Sequence, residues 1–269
     1  MNKKSPVAVF DSGIGGLTVA KRLNQILPGE KIIYFGDTAR VPYGTKSRDT
    51  IKQYALQIAG FLIRFKPKLI VIACHSVSSL GKAFLEKKFP DYTFIDVIGP
   101  SVEEATEKTK NKKIGIIGTP ATISSGMYPE MIERIDSGIK VYQKPCPLLV
   151  PLVEEGWFDN DVTRSIVKYY IQGVLDKQID TLILGCTHYP LLKKAIRKIT
   201  GLAVHLVDAS DATSVKVKDF LVVNGLLNTK KAKTPVIYFS DVSEYRNQVM
   251  HRFWNKMDFL IKKIDTGEL

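Results

Sequence analysis

Short apolar runs of strand length alternate with longer segments of helical periodicity along this 269-residue chain. That alternation limits the fold more than any other feature. Runs such as "LIVIA" at 69–73 and "TLILG" at 181–185 are apolar throughout, without an in–out alternation. Strands formed there must be covered on both faces, as happens when helices flank a parallel sheet. Strands are expected at Val7 to Phe10, Lys31 to Phe35, Leu69 to Ala73, Phe94 to Val97, Lys113 to Ile117, Val141 to Gln143, Thr181 to Gly185, Val204 to Val207 and Val236 to Phe239. Helices are expected over 15–26, 47–65, 77–88, 101–109, 122–135, 160–177, 190–199, 211–226 and 244–257. The alternation reads as an α/β protein. The closing stretch "IKKIDTGEL" is expected to fray.

Two of the apolar runs end alike. "LIVIACHSVSSL" at 69–80 passes through Cys74 and His75, and "TLILGCTHYPLL" at 181–192 passes through Cys186, Thr187 and His188. Superposing the two cysteines sets Val71 on Ile183, Ile72 on Leu184, Ala73 on Gly185 and Leu80 on Leu192. "VAVFDSG" at 7–13 matches "IGIIGTP" at 114–120 in the same way. Each half then reads strand, polar turn, helix, and later strand, cysteine, helix. Two related α/β domains facing each other account for this repeat; a single larger sheet is the alternative.

Composition narrows the class. Apolar residues make up 45% and charged residues 25%, the balance of a soluble globular protein, and the length is enough to bury a substantial core. No apolar run approaches the roughly 20 residues that span a bilayer. The apolar stretch of "MNKKSPVAVFDSG" is too short for a signal peptide, so a cytoplasmic location is expected. Cys74, Cys146 and Cys186 are an odd set without CxxC spacing, which argues against a disulfide framework and against a thiolate zinc site. The formal charge is +12, with short lysine clusters at Lys110 to Lys113, Lys230 to Lys233 and Lys262 to Lys263. Without a zinc-finger or RNA-recognition signature, these read as a solvated basic surface rather than a nucleic-acid site. Such a surface also suits an anionic substrate.

Ligands of open parallel sheets bind beyond the carboxyl ends of the strands. Asp11, Ser12, Cys74, His75, Ser76, Thr119, Cys186, Thr187 and His188 all fall in such turns. Helix N-termini there lower a thiol's pKa and attract carboxylates. "FDSGIGGLT" is not a dinucleotide fingerprint, because Thr18 stands where the third glycine belongs; its glycines read as letting backbone approach a small ligand. Asp11 alone reads equally as a helix cap, and a single free cysteine as a buried hydrophobe. Cys146, between prolines in "KPCPLLVP", reads as structural. Cys74 and Cys186 form a matched pair, and His188 lies two residues from Cys186, where an imidazole activates a thiol.

A cysteine hydrolase needs only one such thiol. A metal site needs more ligands, and His205 and His251 lack ligand spacing. Two thiols across a cleft suit a different reaction. One takes a proton from one face of a carbon while the other returns a proton to the opposite face, inverting the stereocentre by general acid–base catalysis.

These residues resemble the cofactor-independent glutamate racemases of the aspartate/glutamate racemase superfamily. The likeness runs through "FDSGIGGLTV" at 10–19, "YFGDTARVPYG" at 34–44, "IAC" at 72–74, "GTPATISS" at 118–125, "PLVEEG" at 151–156 and "LGCTHYPLL" at 184–192. It implies two similar flavodoxin-like domains, related by a pseudo-twofold, with the active site in the cleft between them. The first domain would comprise 1–98 with 208–269, and the second 99–207. The resemblance further implies that Cys74 removes the α-proton of D-glutamate, assisted by Asp11. Cys186 would remove that of L-glutamate, assisted by His188 with Glu154. Ser12, Pro42, Tyr43, Gly44, His75, Ser76, Thr119, Thr122 and Thr187 match positions that hold the substrate. The family uses neither metal nor pyridoxal phosphate, supplies D-glutamate for peptidoglycan in the bacterial cell wall, and commonly forms homodimers.

One departure concerns His75-Ser76, where the family usually carries Asn-Thr. An asparagine amide offers an acceptor and two donors, a neutral imidazole one of each. His75 reads as a tolerated substitute, a retuned catalytic group or the mark of another substrate. Two further readings of the whole chain stand beside the first: a racemase of aspartate or another small acid, and a non-enzymatic binding protein on the same fold. The matched thiols argue against the last.

Overall fold

The computed structural model describes residues 2–230, 234–244, 248 and 259–269. The first half runs β1 (Val7–Asp11), α1 (Leu17–Ile26), β2 (Ile32–Gly36), α2 (Arg48–Ile63), β3 (Leu69–Ile72), α3 (His75–Lys88), β4 (Phe94–Asp96) and α4 (Ile98–Lys108). Then come β5 (Lys113–Gly118), α5 (Pro120–Ser124), α6 (Met127–Ile135), β6 (Lys140–Pro145), α7 (Leu149–Glu154), α8 (Asp161–Leu175), β7 (Thr181–Gly185) and α9 (Lys193–Thr200). The chain closes with β8 (His205–Val207), α10 (Ala209–Val223), β9 (Val236–Phe239) and β10 (Leu260–Lys263).

The strands form two sheets rather than one. Their orders are β10-β9-β2-β1-β3-β4 and β6-β5-β7-β8, and every pairing is parallel. The order β2-β1-β3-β4 thus recurs as β6-β5-β7-β8. The two sequence repeats fall on equivalent central strands, β1 with β5 and β3 with β7.

Both faces of each sheet are covered, as the unbroken apolar runs require. Val7, Val9 and Val71 pack on one side of the first sheet with Leu17 and Leu23 of α1. Ala8, Phe10, Ile70 and Ile72 pack on the other with Ile51, Ala55 and Ile58 of α2. In the second sheet Leu182 and Leu184 face α8, while Ile114, Ile116 and Ile183 face α4 and α6. Each fully buried Val, Leu, Ile or Phe side chain among these stabilises the fold by about 1.5–3 kcal/mol.

Every expected strand forms, with small shifts at the ends. The expected helix over 122–135 divides into α5 and α6 where Gly126 adopts φ +72°. The one over 190–199 begins as a tight turn at Tyr189–Leu192 before α9. Apart from 244 and 248, the expected helix over 244–257 lies outside the described residues, as does His251. One expectation is overturned: the C-terminal stretch does not fray. β10 pairs in parallel with β9, Ile264 and Leu269 pack against the first sheet's core, and Arg64 Nη2 donates to the Glu268 carbonyl at 3.1 Å.

A buried ion pair secures the return of the chain after α10. Lys68 Nζ lies 2.5 Å from Glu30 Oε2, both side chains being inaccessible to solvent. Lys68 also donates to the carbonyls of Lys3 and Leu226. Glu30 Oε1 accepts the Asn228 N–H at 2.8 Å.

Candidate active site

Four strand ends converge on one cavity. β1 ends at Asp11, β3 leads into Cys74 at the N-cap of α3, β5 into Thr119 at the N-cap of α5, and β7 into Cys186. Ser12, Pro42, Tyr43, Gly44, Cys74, His75, Ser76, Thr119, Val150, Cys186, Thr187 and His188 line it. Its volume is about 10 Å³, space for about one water.

The two thiols have different surroundings. Cys74 Sγ sits 3.6 Å from Ser12 Oγ; burial first, and then the neighbouring Asp11 carboxylate, push its pKa up to about 12. Cys186 Sγ sits 3.8 Å from His188 Nδ1, and His188 Nε2 sits 2.7 Å from Glu154 Oε1. Burial opposes a charge on His188, but hydrogen bonds and attraction from Cys186 and Glu154 hold its pKa well above the usual imidazole value. The result is a Cys–His–Glu relay on one side and a thiol beside a carboxylate on the other.

Asp11 reaches across the cavity. Its Oδ2 accepts the N–H groups of Gly13 and Gly16, and its Oδ1 accepts the Thr187 hydroxyl at 3.2 Å. It is therefore both the cap of its own turn and a link between the two sheets. The glycines of that turn are explained by close approach: a Cβ on Gly15 would lie 2.5 Å from His188 Nδ1 and 2.6 Å from Thr187 Oγ1. A Cβ on Gly44 would collide with the Thr119 side chain.

Ser76, Thr119 and Thr122 form a triangle of hydroxyls, with Thr119 at 3.0 Å from each of the other two and Ser76 at 3.4 Å from Thr122. Pro42, Tyr43 and Gly44 also line the cavity, with Gly44 packed against Thr119. Two residues inside a quoted motif, yet given no role from sequence, support this frame. Asp37, wholly buried, accepts the Tyr43 hydroxyl, Arg40 Nε at 2.6 Å and Ser240 Oγ at 2.7 Å. Tyr34 donates to the Gly13 carbonyl at 2.7 Å. Cys146 packs in the core of the second sheet with Sγ 3.4 Å from the Lys144 carbonyl, and burial pushes its pKa up to about 12.

His75 is buried against Tyr128, the rings 6.4 Å apart and inclined by 24°. Neither ring nitrogen has a hydrogen-bond partner among the described residues. Burial drives its pKa down to about 3, against a weak pull from Asp96. The unfolded chain therefore binds this proton first, and folding stability should fall as pH drops from 6.5 toward about 3. His75→Asn should remove a slope of about 1.4 kcal/mol per pH unit across that window, read from urea unfolding at a series of pH values. Identical slopes in the two proteins would contradict a buried neutral imidazole.

Among the described residues no group of three or more His, Cys, Asp or Glu side chains is arranged to hold a metal ion. None of their helices is long and apolar enough to cross a membrane.

Comparison with known proteins agrees with this geometry. The Asp/Glu/hydantoin racemase family model matches residues 13–216. A glutamate racemase of Chlorobaculum parvum is 44% identical over 250 residues, covering 93% of this chain and 92% of that protein. The crystal structure of glutamate racemase from Francisella tularensis in complex with D-glutamate superposes with a TM-score of 0.93 at 40% identity, covering 99% of this chain and 100% of that one. The Thermus thermophilus glutamate racemase in complex with β-chloro-D-alanine gives 0.88 at 37%, covering all of both chains.

Proposed function

Because the chain belongs to the Asp/Glu/hydantoin racemase family, we propose that it is a glutamate racemase, an isomerase that interconverts L- and D-glutamate by two-base proton transfer. The observation that carries this reading is the pair of buried thiols, Cys74 and Cys186, at the ends of equivalent strands and lining one cavity. With L-glutamate, the Cys186 thiolate takes the α-hydrogen as a proton and the Cys74 thiol gives its proton to the opposite face. With D-glutamate the roles reverse.

Asp11 assists Cys74, and His188 with Glu154 assists Cys186. The substrate's carboxylates and amino group are held by Ser12, Thr187, the Pro42-Tyr43-Gly44 wall, His75, and the hydroxyls of Ser76, Thr119 and Thr122. The first turn of α3 adds backbone N–H groups without intrahelical partners. A cavity of about 10 Å³ is far smaller than glutamate, so entry requires its walls to part. The Asp11–Thr187 bond is one contact that joins the two sheets beside this cavity.

The domain division that suits this motion is 1–98 with 208–269 against 99–207. The segment 99–207 contains all of β5 to β8, the strands of the four-stranded sheet. The product D-glutamate would serve peptidoglycan synthesis in the cytoplasm, with the protein acting as a homodimer.

The direct test is incubation of purified protein with L-glutamate, expected to run to zero optical rotation. A rotation that stays constant, or turnover of aspartate in preference to glutamate, would overturn the assignment. Activity is also expected to survive dialysis against a chelator, since the thiols and their partners supply the acid and the base. Loss restored by one particular metal would contradict this. His75→Asn is expected to preserve kcat/KM for glutamate or to raise it, because an imidazole whose pKa burial drives down to about 3 is too weak a base to take a proton near neutral pH, and the amide offers a second donor. One added hydrogen bond to a charged substrate is worth about 1.5–3 kcal/mol. A folded His75→Asn protein that loses most of its turnover would make His75 catalytic.

A further inference from the structure

We propose that the substrate-free protein holds Cys186 as a thiolate paired with the His188 imidazolium and Cys74 as a thiol, so that it rests in the form that accepts L-glutamate. The inference builds on the roles given above to the two cysteines and adds the resting position of the proton.

Geometry separates the two thiols. His188 presents Nδ1 to Cys186 while Nε2 meets the Glu154 carboxylate at 2.7 Å. With a proton on each nitrogen, both contacts become charge-assisted hydrogen bonds, stronger than their neutral counterparts. Among the described residues Tyr128, Tyr189, Cys146 and Cys74 also act on Cys186, all acids whose ionised forms would repel a thiolate. Burial and that repulsion keep the two tyrosines neutral.

Among the described residues no comparable cation acts on Cys74. It faces the Asp11 carboxylate, the Ser12 hydroxyl, the Val77 backbone and Cys186, with Tyr34 and Tyr43 behind. Arg40, whose charge acts on Tyr43, is bound by Asp37. The other imidazole lining the cavity, His75, has no hydrogen-bonded carboxylate, and burial holds it neutral. A second negative charge beside Asp11 is therefore disfavoured, and the Cys74 proton stays on sulfur.

From this state L-glutamate reacts at once. Cys186 S⁻ gains the α-proton, Cys74 S–H loses its own to Cα, and D-glutamate leaves. The protein then carries Cys186 S–H and Cys74 S⁻. It resets when Cys186 releases a proton to water and Cys74 takes one up, with no net change in charge. D-glutamate needs the reverse distribution before it can react.

The test uses the full-length protein without substrate at neutral pH. Ultraviolet thiolate absorbance should report about one thiolate per chain, retained in Cys74→Ser and lost in Cys186→Ser and His188→Gln, each checked for folding by circular dichroism. Peptide mapping after brief iodoacetamide treatment of the unmodified sequence needs no variant, and should find Cys186 alkylated at least ~100-fold faster than Cys74, because only the thiolate is the nucleophile. Since both sulfurs line the same cavity, access is shared. No thiolate, a thiolate on Cys74, or equal alkylation rates would overturn the inference. Normal glutamate turnover alongside such a result would leave the racemase assignment standing, whereas absent turnover with a Cys186 thiolate would sink the assignment alone.

Discussion

Cys74→Ser and Cys186→Ser are each expected to lower glutamate racemisation by about 10²–10⁴-fold, the usual contribution of a positioned acid or base, while Cys146→Ser leaves the rate within about twofold. The serine hydroxyl occupies nearly the same space but is a far poorer base than a thiol. Loss of either member slows inversion in both directions, because each turnover uses one sulfur as base and the other as acid. Cys146 packs in the core and bonds to the Lys144 carbonyl, so its replacement alters packing rather than chemistry. Rates of optical-activity loss for the three variants, normalised to folded protein, provide the check. Equal damage from all three would contradict a two-thiol mechanism.

Lys68→Met is expected to lower folding stability by about 3–5 kcal/mol, the cost of leaving one member of a buried ion pair without its partner. Glu30 would be left without its cation in a site that excludes solvent, with the Asn228 N–H still donating to it. The double variant Lys68→Met, Glu30→Met is expected to recover much of the loss, since it strands no charge. Urea midpoints at unchanged slope give the comparison. Losses that simply add would show that the two side chains act independently.

The fold was largely legible because buried parallel strands announce themselves as unbroken apolar runs, and both sheets are built from them. Two elements were not. α7 lies between Cys146 and Trp157, where Pro147 and Pro151 mask its short helical stretch. β10, "LIKK", is mostly exposed and is held by backbone pairing to β9, an interaction that leaves little trace in side-chain pattern.

The site was legible at its strand ends for a related reason. Cys74 and Cys186 occur at matched places in a repeat, and the repeat proves to lie on equivalent strands. The partnership of His188 with Glu154 spans 34 residues, and no local spacing encodes it; it came from resemblance alone. Asp37 was hidden similarly, since its contacts with Tyr43 and Ser240 depend on how β2 and β9 lie side by side. The substitution of His75 was visible as a departure, but its neutrality follows only from burial among groups distant in sequence.

The most direct measurement of the central claim is racemisation of L-glutamate by the purified protein in D₂O, with the α-position of the inverted product read by mass spectrometry or NMR. Two-base transfer requires each newly formed D-glutamate to carry solvent deuterium at Cα from its first turnover, while unreacted L-glutamate retains protium early in the reaction. D-glutamate that keeps its original α-hydrogen would contradict proton removal by one thiol and return by the other.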